Sequence, residues 1–150
     1  QLPPWHENLA KRQIRTPKVY IRDSGLLHAL LGLRTAREIE VHPKVGASWE
    51  GFVLDAVVAR LGARPEECFF WGTHSGAELD LLVVRGRRRL GFEFKRTTAP
   101  VVTRSMRVAL VDLALERLYV VHAGSRSLPL APKVRALAID GLHEELKPLR

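Results

Sequence analysis

The sequence predicts an α/β (α+β) domain with one mixed sheet flanked by helices, and three observations carry that expectation. Residues 48–121 read in order as helix, three strands, helix, strand. The strands at 77–84 and 89–97 alternate in polarity on either side of a short turn at Arg85-Gly86-Arg87-Arg88. The stretch between the third and fourth strands is long enough for a helical crossover, which would return the chain parallel to the third strand.

Residues 1–16 are polar and basic, with Lys11, Arg12 and Arg15 following Pro3-Pro4. They carry no initiator Met and no basic-then-apolar leader, so they are expected to be a connector from an upstream region. Residues 17–46 are expected to be a strand–helix extension. Lys18-Val19-Tyr20-Ile21-Arg22 alternates like a short strand. Asp23-Ser24 can cap a helix through Leu26, Leu27, Leu30 and Leu31, which Gly32 ends. Residues 34–46, punctuated by Pro43 and Gly46, read as a loop.

The main domain is expected over 47–150. Its first helix runs from Ser48 to Leu61, with Trp49, Phe52, Val53, Ala56 and Val57 at helical spacing and Gly62 as the stop. The aromatics of Cys68-Phe69-Phe70-Trp71 mark a strand, and Thr73-His74-Ser75-Gly76 a turn. After the hairpin, 103–116 suits a helix with Met106, Ala109, Leu110 and Leu113 on one side. Arg117 to Val121 is a buried-type strand, 128–139 suggests one more, and the C-terminus is polar.

A chain of 150 residues, 46% hydrophobic and 27% charged, has the profile of one soluble, ordered domain. No apolar run approaches the roughly 20 residues that span a bilayer, so no membrane association is expected. Cys68, the single cysteine, excludes an intramolecular disulfide and a cysteine-based zinc cluster. That fits a reducing cytoplasm. The net charge of +8 favours a polyanionic partner such as nucleic acid, although an arginine-rich proteome accounts for it equally well.

The chemistry concentrates on the hairpin. Parity places Leu79, Leu81, Val83, Leu90, Phe92 and Phe94 on one, core-facing side. The other side carries Glu78, Asp80, Leu82, Val84, Arg89, Gly91, Glu93 and Lys95. Pairing Arg85 with Arg88 sets Asp80 opposite Glu93 and Glu78 opposite Lys95. Carboxylates on adjacent strands, with Cβ atoms about 5 Å apart, repel and call for a proton, a cationic side chain or a metal. Mg²⁺ suits such a pair, since it takes oxygen ligands and keeps waters and phosphate oxygens in its shell. Gly91 would let a backbone approach beside Glu93. The alternative is a solvated strand face with a Glu78–Lys95 ion pair.

Asp80 followed by Glu93-Phe94-Lys95, with Glu50 on the preceding helix, resembles the PD-(D/E)XK nuclease superfamily, the restriction-endonuclease-like fold. The proline of that motif is absent, Ala77-Glu78-Leu79 standing before Asp80. More narrowly, Pro17 to Leu27, His42-Pro43 to Trp49-Glu50, Gly76 to Asp80 and Phe92 to Lys95 resemble a domain of unknown function found C-terminal to the ATPase module of a prokaryotic AAA+-type family. The resemblance implies a helix–three-stranded meander–helix–strand core. It makes Asp80, Glu93 and Glu50 ligands of Mg²⁺ or Mn²⁺, and Lys95 the residue that positions or activates water. It also implies a DNA substrate and an upstream ATPase domain of the same protein. This chain has no G-x-x-x-x-G-K-[ST] loop, so ATP would enter only through that domain.

Glu50 is equally well read as a first-turn acidic residue favoured by the helix dipole. His74 could touch phosphate from its turn or simply be exposed, and His42, His122 and His143 lack metal-ligand spacing. Arg85, Arg87, Arg88 and Arg89 form a basic tip suited to the phosphate backbone, or to solubility alone. Three functions follow: a Mg²⁺-dependent nuclease-like domain acting on DNA, a non-catalytic nucleic-acid-binding or targeting domain, and a protein-interaction or oligomerisation module with a vestigial site.

Overall fold

A computed structural model describes residues 1–7 and 12–149. Lys11 of the expected connector lies outside the described residues. The order is α1 (Ser24–Leu30), α2 (Ala36–Val41), α3 (Val45–Leu61), β1 (Cys68–Gly72), β2 (Glu78–Arg85), β3 (Arg88–Lys95), α4 (Arg104–Asp112), β4 (Arg117–His122), β5 (Leu128–Ala131), β6 (Val134–Ala138) and α5 (Leu142–Glu145). The six strands form one mixed sheet in the order β1-β2-β3-β4-β6-β5. β1, β2 and β3 make an antiparallel meander, and β4 lies parallel to β3 after the α4 crossover.

The two sheet faces are covered by different helices. Val53, Val57 and Leu61 of α3 pack with Leu81, Val83, Leu90, Phe92, Phe94, Val121 and Leu137. On the opposite face Met106, Ala109 and Leu113 pack with Trp71, Leu79, Leu82, Leu118, Val120 and Val134. The face expected to be polar is therefore largely a second core, and Leu82 is fully buried in it. Burial on both faces is what a sheet with a parallel crossover and helices on each side requires.

Several local expectations change. Lys18 makes an isolated antiparallel bridge to Leu2, without a strand around it. Residues 34–46 hold α2, which Thr35 and Glu38 start with a reciprocal capping box. Residues 128–139 hold the hairpin β5–β6 in place of one strand. Leu142 and Leu146 near the C-terminus are buried against the α3 side of the sheet. The helix expected to follow Asp23 forms, with the Asp23 carboxylate accepting from the Leu26 N–H, and Gly62 closes α3 in the left-handed region as expected.

The opening segment follows the outer edge of β1. Pro4 bridges Phe70 and Gln13 bridges Thr73, while Trp5 sets its ring edge-on to Phe69 at 4.9 Å. Ile14 settles over Gly72, where a side-chain Cβ would come within 2.9 Å of its Cδ1. A side chain at this position would have to push the Ile14 methyl aside.

Candidate functional site

The β2–β3 hairpin closes in the expected register, Arg85 facing Arg88 and Leu81 facing Phe92. One step further the ladder gives way to a side-chain contact: the Phe94 N–H donates to Asp80 Oδ2 at 2.9 Å. Alternation also breaks here, because Leu79 packs on the α4 face with Leu82 while Leu81 packs on the α3 face. That corrects the simple parity assignment, which put Leu79 with Leu81. The space beside Gly91 is filled by Leu115 and Leu79 and is not open to a ligand backbone.

Asp80 and Glu93 are buried, 6% and 4% exposed, which removes the solvated-face alternative. The expected Glu78–Lys95 ion pair is replaced by two others. Lys95 Nζ lies 2.8 Å from Glu93 Oε2. Lys18, from the N-terminal extension, pairs with Glu78 and stands 3.5 Å from Asp80 Oδ1. Lys18 was not expected at the site. Its partners are sixty residues away, and no local periodicity could reveal them.

The electrostatics show that these groups share one environment. Burial, then the charge of Asp80, pushes Glu93 up to about 7 against the partial relief of Lys95. Burial and then Asp80 also raise Glu50, which feels Lys18 and Lys95 in turn. Burial acts to lower Lys95, but Glu93, Asp80 and Glu50 together outweigh it and the ammonium is held above its ordinary value. Lys18 is likewise lowered by burial and raised more by Glu78 and Asp80. Burial pushes the Tyr20 phenol up to about 12, with Lys18 opposing the shift.

Among the described residues, the buried side-chain polar atoms without a hydrogen-bond partner are Tyr20 Oη, Trp49 Nε1 and His122 Nε2. Two of these adjoin the cluster: Tyr20 interacts with Glu50 and Asp80, and His122 is the register neighbour of Lys95 on β4. His122, 1% exposed, uses Nδ1 to accept the Gly124 N–H, which leaves Nε2 as an unanswered donor. Sequence spacing gave no signal for it.

Asp80 and Glu93 supply hard carboxylate oxygens whose mutual repulsion the fold leaves partly unrelieved, and one or two carboxylates suffice for Mg²⁺. Among the described residues no three His, Cys, Asp or Glu side chains converge closely enough to hold an ion together. The hairpin therefore offers an ion two buried carboxylates, Asp80 and Glu93, and no third ligand among the described residues. Glu50 does not join Asp80 and Glu93 as a third ligand in this arrangement.

The arginine tip is different from expectation. Arg85 is bound to Glu67 and to the carbonyls of Gly62 and Leu149. Arg88 pairs with Glu116, and Arg89 with Glu7 and the Leu113 carbonyl. Arg87 alone of the four has no such partner among the described residues. His74 is exposed in its turn, at the other end of β2 from the tip.

No described helix is long and apolar enough to cross a membrane. The chain is 51% identical over 140 residues to an uncharacterized protein of Mycobacterium tuberculosis, and equally to one of Mycobacterium bovis. Each match takes in 93% of this chain but 31% of the relative, so the chain spans about a third of the length of the curated relatives it matches. No solved structure matches significantly. Residues 1–37 match a second domain of unknown function, DUF8612. Residues 45–141, which contain the hairpin, α3 and the α4 crossover, match the domain of unknown function DUF4143, and the chain belongs to that family.

Proposed function

We propose that the chain is a PD-(D/E)XK nuclease-like domain with a restriction-endonuclease-like core. In this reading it works beside an upstream AAA+-type ATPase region in the cytoplasm and hydrolyses or processes DNA phosphodiesters with Mg²⁺ or Mn²⁺. The association of DUF4143 with the C-terminal side of AAA ATPases supports the partnership. The observation that carries the chemistry is the buried Asp80–Glu93 pair, which two lysines only partly neutralise. Fold alone would not carry it.

Asp80 and Glu93 would hold the ion, Asp80 being oriented by the Phe94 N–H. A divalent cation so held supplies Lewis-acid polarisation of the phosphate and a bound water of lowered pKa. Lys95, half-buried beside Glu93, would position that water and stabilise charge developing on the phosphate. Glu50 would act from α3 through the shared field, with no ligand role assigned to it. The test is incubation of the purified chain with DNA and Mg²⁺ or Mn²⁺. Cleavage is expected in the wild type and lost in Asp80→Ala and Glu93→Ala; cleavage that survives in both variants sinks the assignment.

One observation favours a non-catalytic, DNA-targeting alternative. Lys18 already occupies the Asp80 side of the site and could stand permanently where an ion would sit. Calorimetric titration with Mn²⁺ separates the two: saturable binding abolished by Asp80→Asn supports the catalytic reading, and no binding supports the targeting one.

A further inference from the structure

The nucleic-acid reading placed the phosphate-binding surface on the Arg85–Arg89 tip, but the fold has committed that tip elsewhere. Arg85, Arg88 and Arg89 each face a carboxylate: Glu67, Glu116 and Glu7. The tip also lies at the wrong end of the hairpin, about 17 Å along β2 from Asp80 at roughly 3.3 Å per residue.

A second basic surface lies at the carboxylate end. A cleft of about 590 Å³ is lined by His6, Arg12, Gln13, Ile14, Arg15, Thr16 and His74, with no acidic side chain in its lining. Arg12, Arg15, His6 and His74 are exposed. Among the described residues neither arginine has an ion-pair partner. Glu7, the nearest acidic residue along the segment, is held by Arg89 and by the indole N–H of Trp5.

The cleft is a built feature and not a chance gathering of surface charge. The His74 N–H donates to the Arg12 carbonyl at 2.9 Å, and the Ile14 N–H to the Gly72 carbonyl at 2.9 Å. The Gln13 amide binds Glu7 through both of its ends and also accepts from the Trp71 indole. Arg15 and Thr16 then lie on a short stretch pinned at Gln13 to Thr73 and at Lys18 to Glu78. That stretch leads from the basic cleft directly to the carboxylates. Guanidinium groups favour phosphate because their forked donors match its oxygens.

We infer that the Arg12–Arg15–His6–His74 cleft binds the phosphodiester backbone of the nucleic acid and delivers the strand toward Asp80 and Glu93. This rests on the nucleic-acid part of the proposed function and is independent of catalysis. The shared chemistry is phosphate, and the committed source is a polynucleotide.

The experiment is fluorescence anisotropy of the 150-residue chain with a labelled DNA duplex, in EDTA so that binding is read without cleavage. The R12Q/R15Q variant is compared with the tip variant R87Q/R88Q and with the charge-keeping R12K/R15K, all after a circular-dichroism check of folding. R12Q/R15Q is expected to weaken binding about tenfold and to flatten the slope of log K against log salt by about 1.8, at about 0.9 per phosphate contact. R12K/R15K should recover most of the loss, and R87Q/R88Q should lose less than R12Q/R15Q. Wild-type-like binding by R12Q/R15Q, a larger loss in the tip variant, or no DNA binding by the wild type overturns the inference. So does arginine-dependent binding of inorganic pyrophosphate without DNA binding, which would assign the cleft to a small anion. Mn²⁺ titration keeps the two proposals apart. Arginine-dependent DNA binding without Mn²⁺ binding leaves the cleft standing and removes the nuclease, and the reverse result does the opposite.

Discussion

The two ends of the β2–β3 hairpin use charge in opposite ways. At the turn end, each cation that the strands place outside the core meets a carboxylate from elsewhere in the fold: Arg85 with Glu67, Arg88 with Glu116, Arg89 with Glu7. Arg85 also caps the carbonyls of Gly62 and Leu149, so it fastens the end of α3 and the C-terminus to the sheet. At the far end, Asp80 and Glu93 are buried beside each other, and burial and mutual repulsion leave Glu93 near neutrality in its titration. The turn end is electrostatically satisfied; the far end is not. Unrelieved charge costs stability, and buried titratable groups of this kind beside an unpartnered donor, His122 Nε2, are what mark the far end as the candidate site.

Loss of the Asp80 charge should act on function, where loss of a tip carboxylate should act on stability. Asp80→Asn keeps the shape of the side chain and its Phe94 contact while removing the charge. DNA cleavage with Mn²⁺ should fall by roughly 100-fold or more, on the scale of losing a charged transition-state stabiliser. Glu67→Gln at the other end should leave cleavage per folded molecule unchanged and lower the urea midpoint instead. If the two variants exchange phenotypes, with Glu67→Gln silencing catalysis in folded protein, the division between the ends is wrong.

What the sequence disclosed follows the range of the interactions. α3 and the hairpin were legible because their signals are local: apolar spacing with Gly62 as stop, and alternation around Gly86. The α2 signal was present in Thr35 and Glu38 but was overshadowed by Pro43 and Gly46. Asp80, Glu93 and Lys95 were brought together as expected, and Glu50 was placed within their field but not as a third ligand. Lys18 at the site, and Glu67, Glu116 and Glu7 at the tip, depend on contacts between distant parts of the chain. Pattern alone cannot pair them. Leu79 changed faces because the strand is irregular where Asp80 reaches the Phe94 amide, and a strict period of two cannot anticipate that.

The pH dependence of stability sharpens the contrast, since the two ends should respond with opposite sign. Glu93 sits at about 7 in the fold against an ordinary 4.5. Between those values the folded chain binds more protons than the unfolded one, so stability falls as pH rises through that window. At about 1.4 kcal/mol per pKa unit the penalty is on the order of 3 to 4 kcal/mol. Glu50, also raised, adds to it in the same direction. Glu67 and Glu116 are held low, first by their hydrogen bonds to Arg85 and Arg88. Their contribution is complete above about 4.5 and is lost as pH falls below it. Urea melts in EDTA should therefore show stability declining from about pH 5 to pH 7, and Glu93→Gln should flatten that decline. A wild type whose stability rises steadily over the same interval would show that Glu93 is not strained.

The smallest effect belongs to the outermost pair. Arg88 and Glu116 share two hydrogen bonds at 3.0 Å, but their side chains are 49% and 50% exposed. Water and salt screen such a pair, and ordering two long side chains offsets much of the attraction. Arg88→Gln should cost about 0.5 kcal/mol or less at low salt and close to nothing at high salt, read from paired urea titrations. A salt-insensitive loss of several times that size would mean that Arg88 braces the β3–α4 corner through packing, and the turn end would then owe its stability to contacts other than charge.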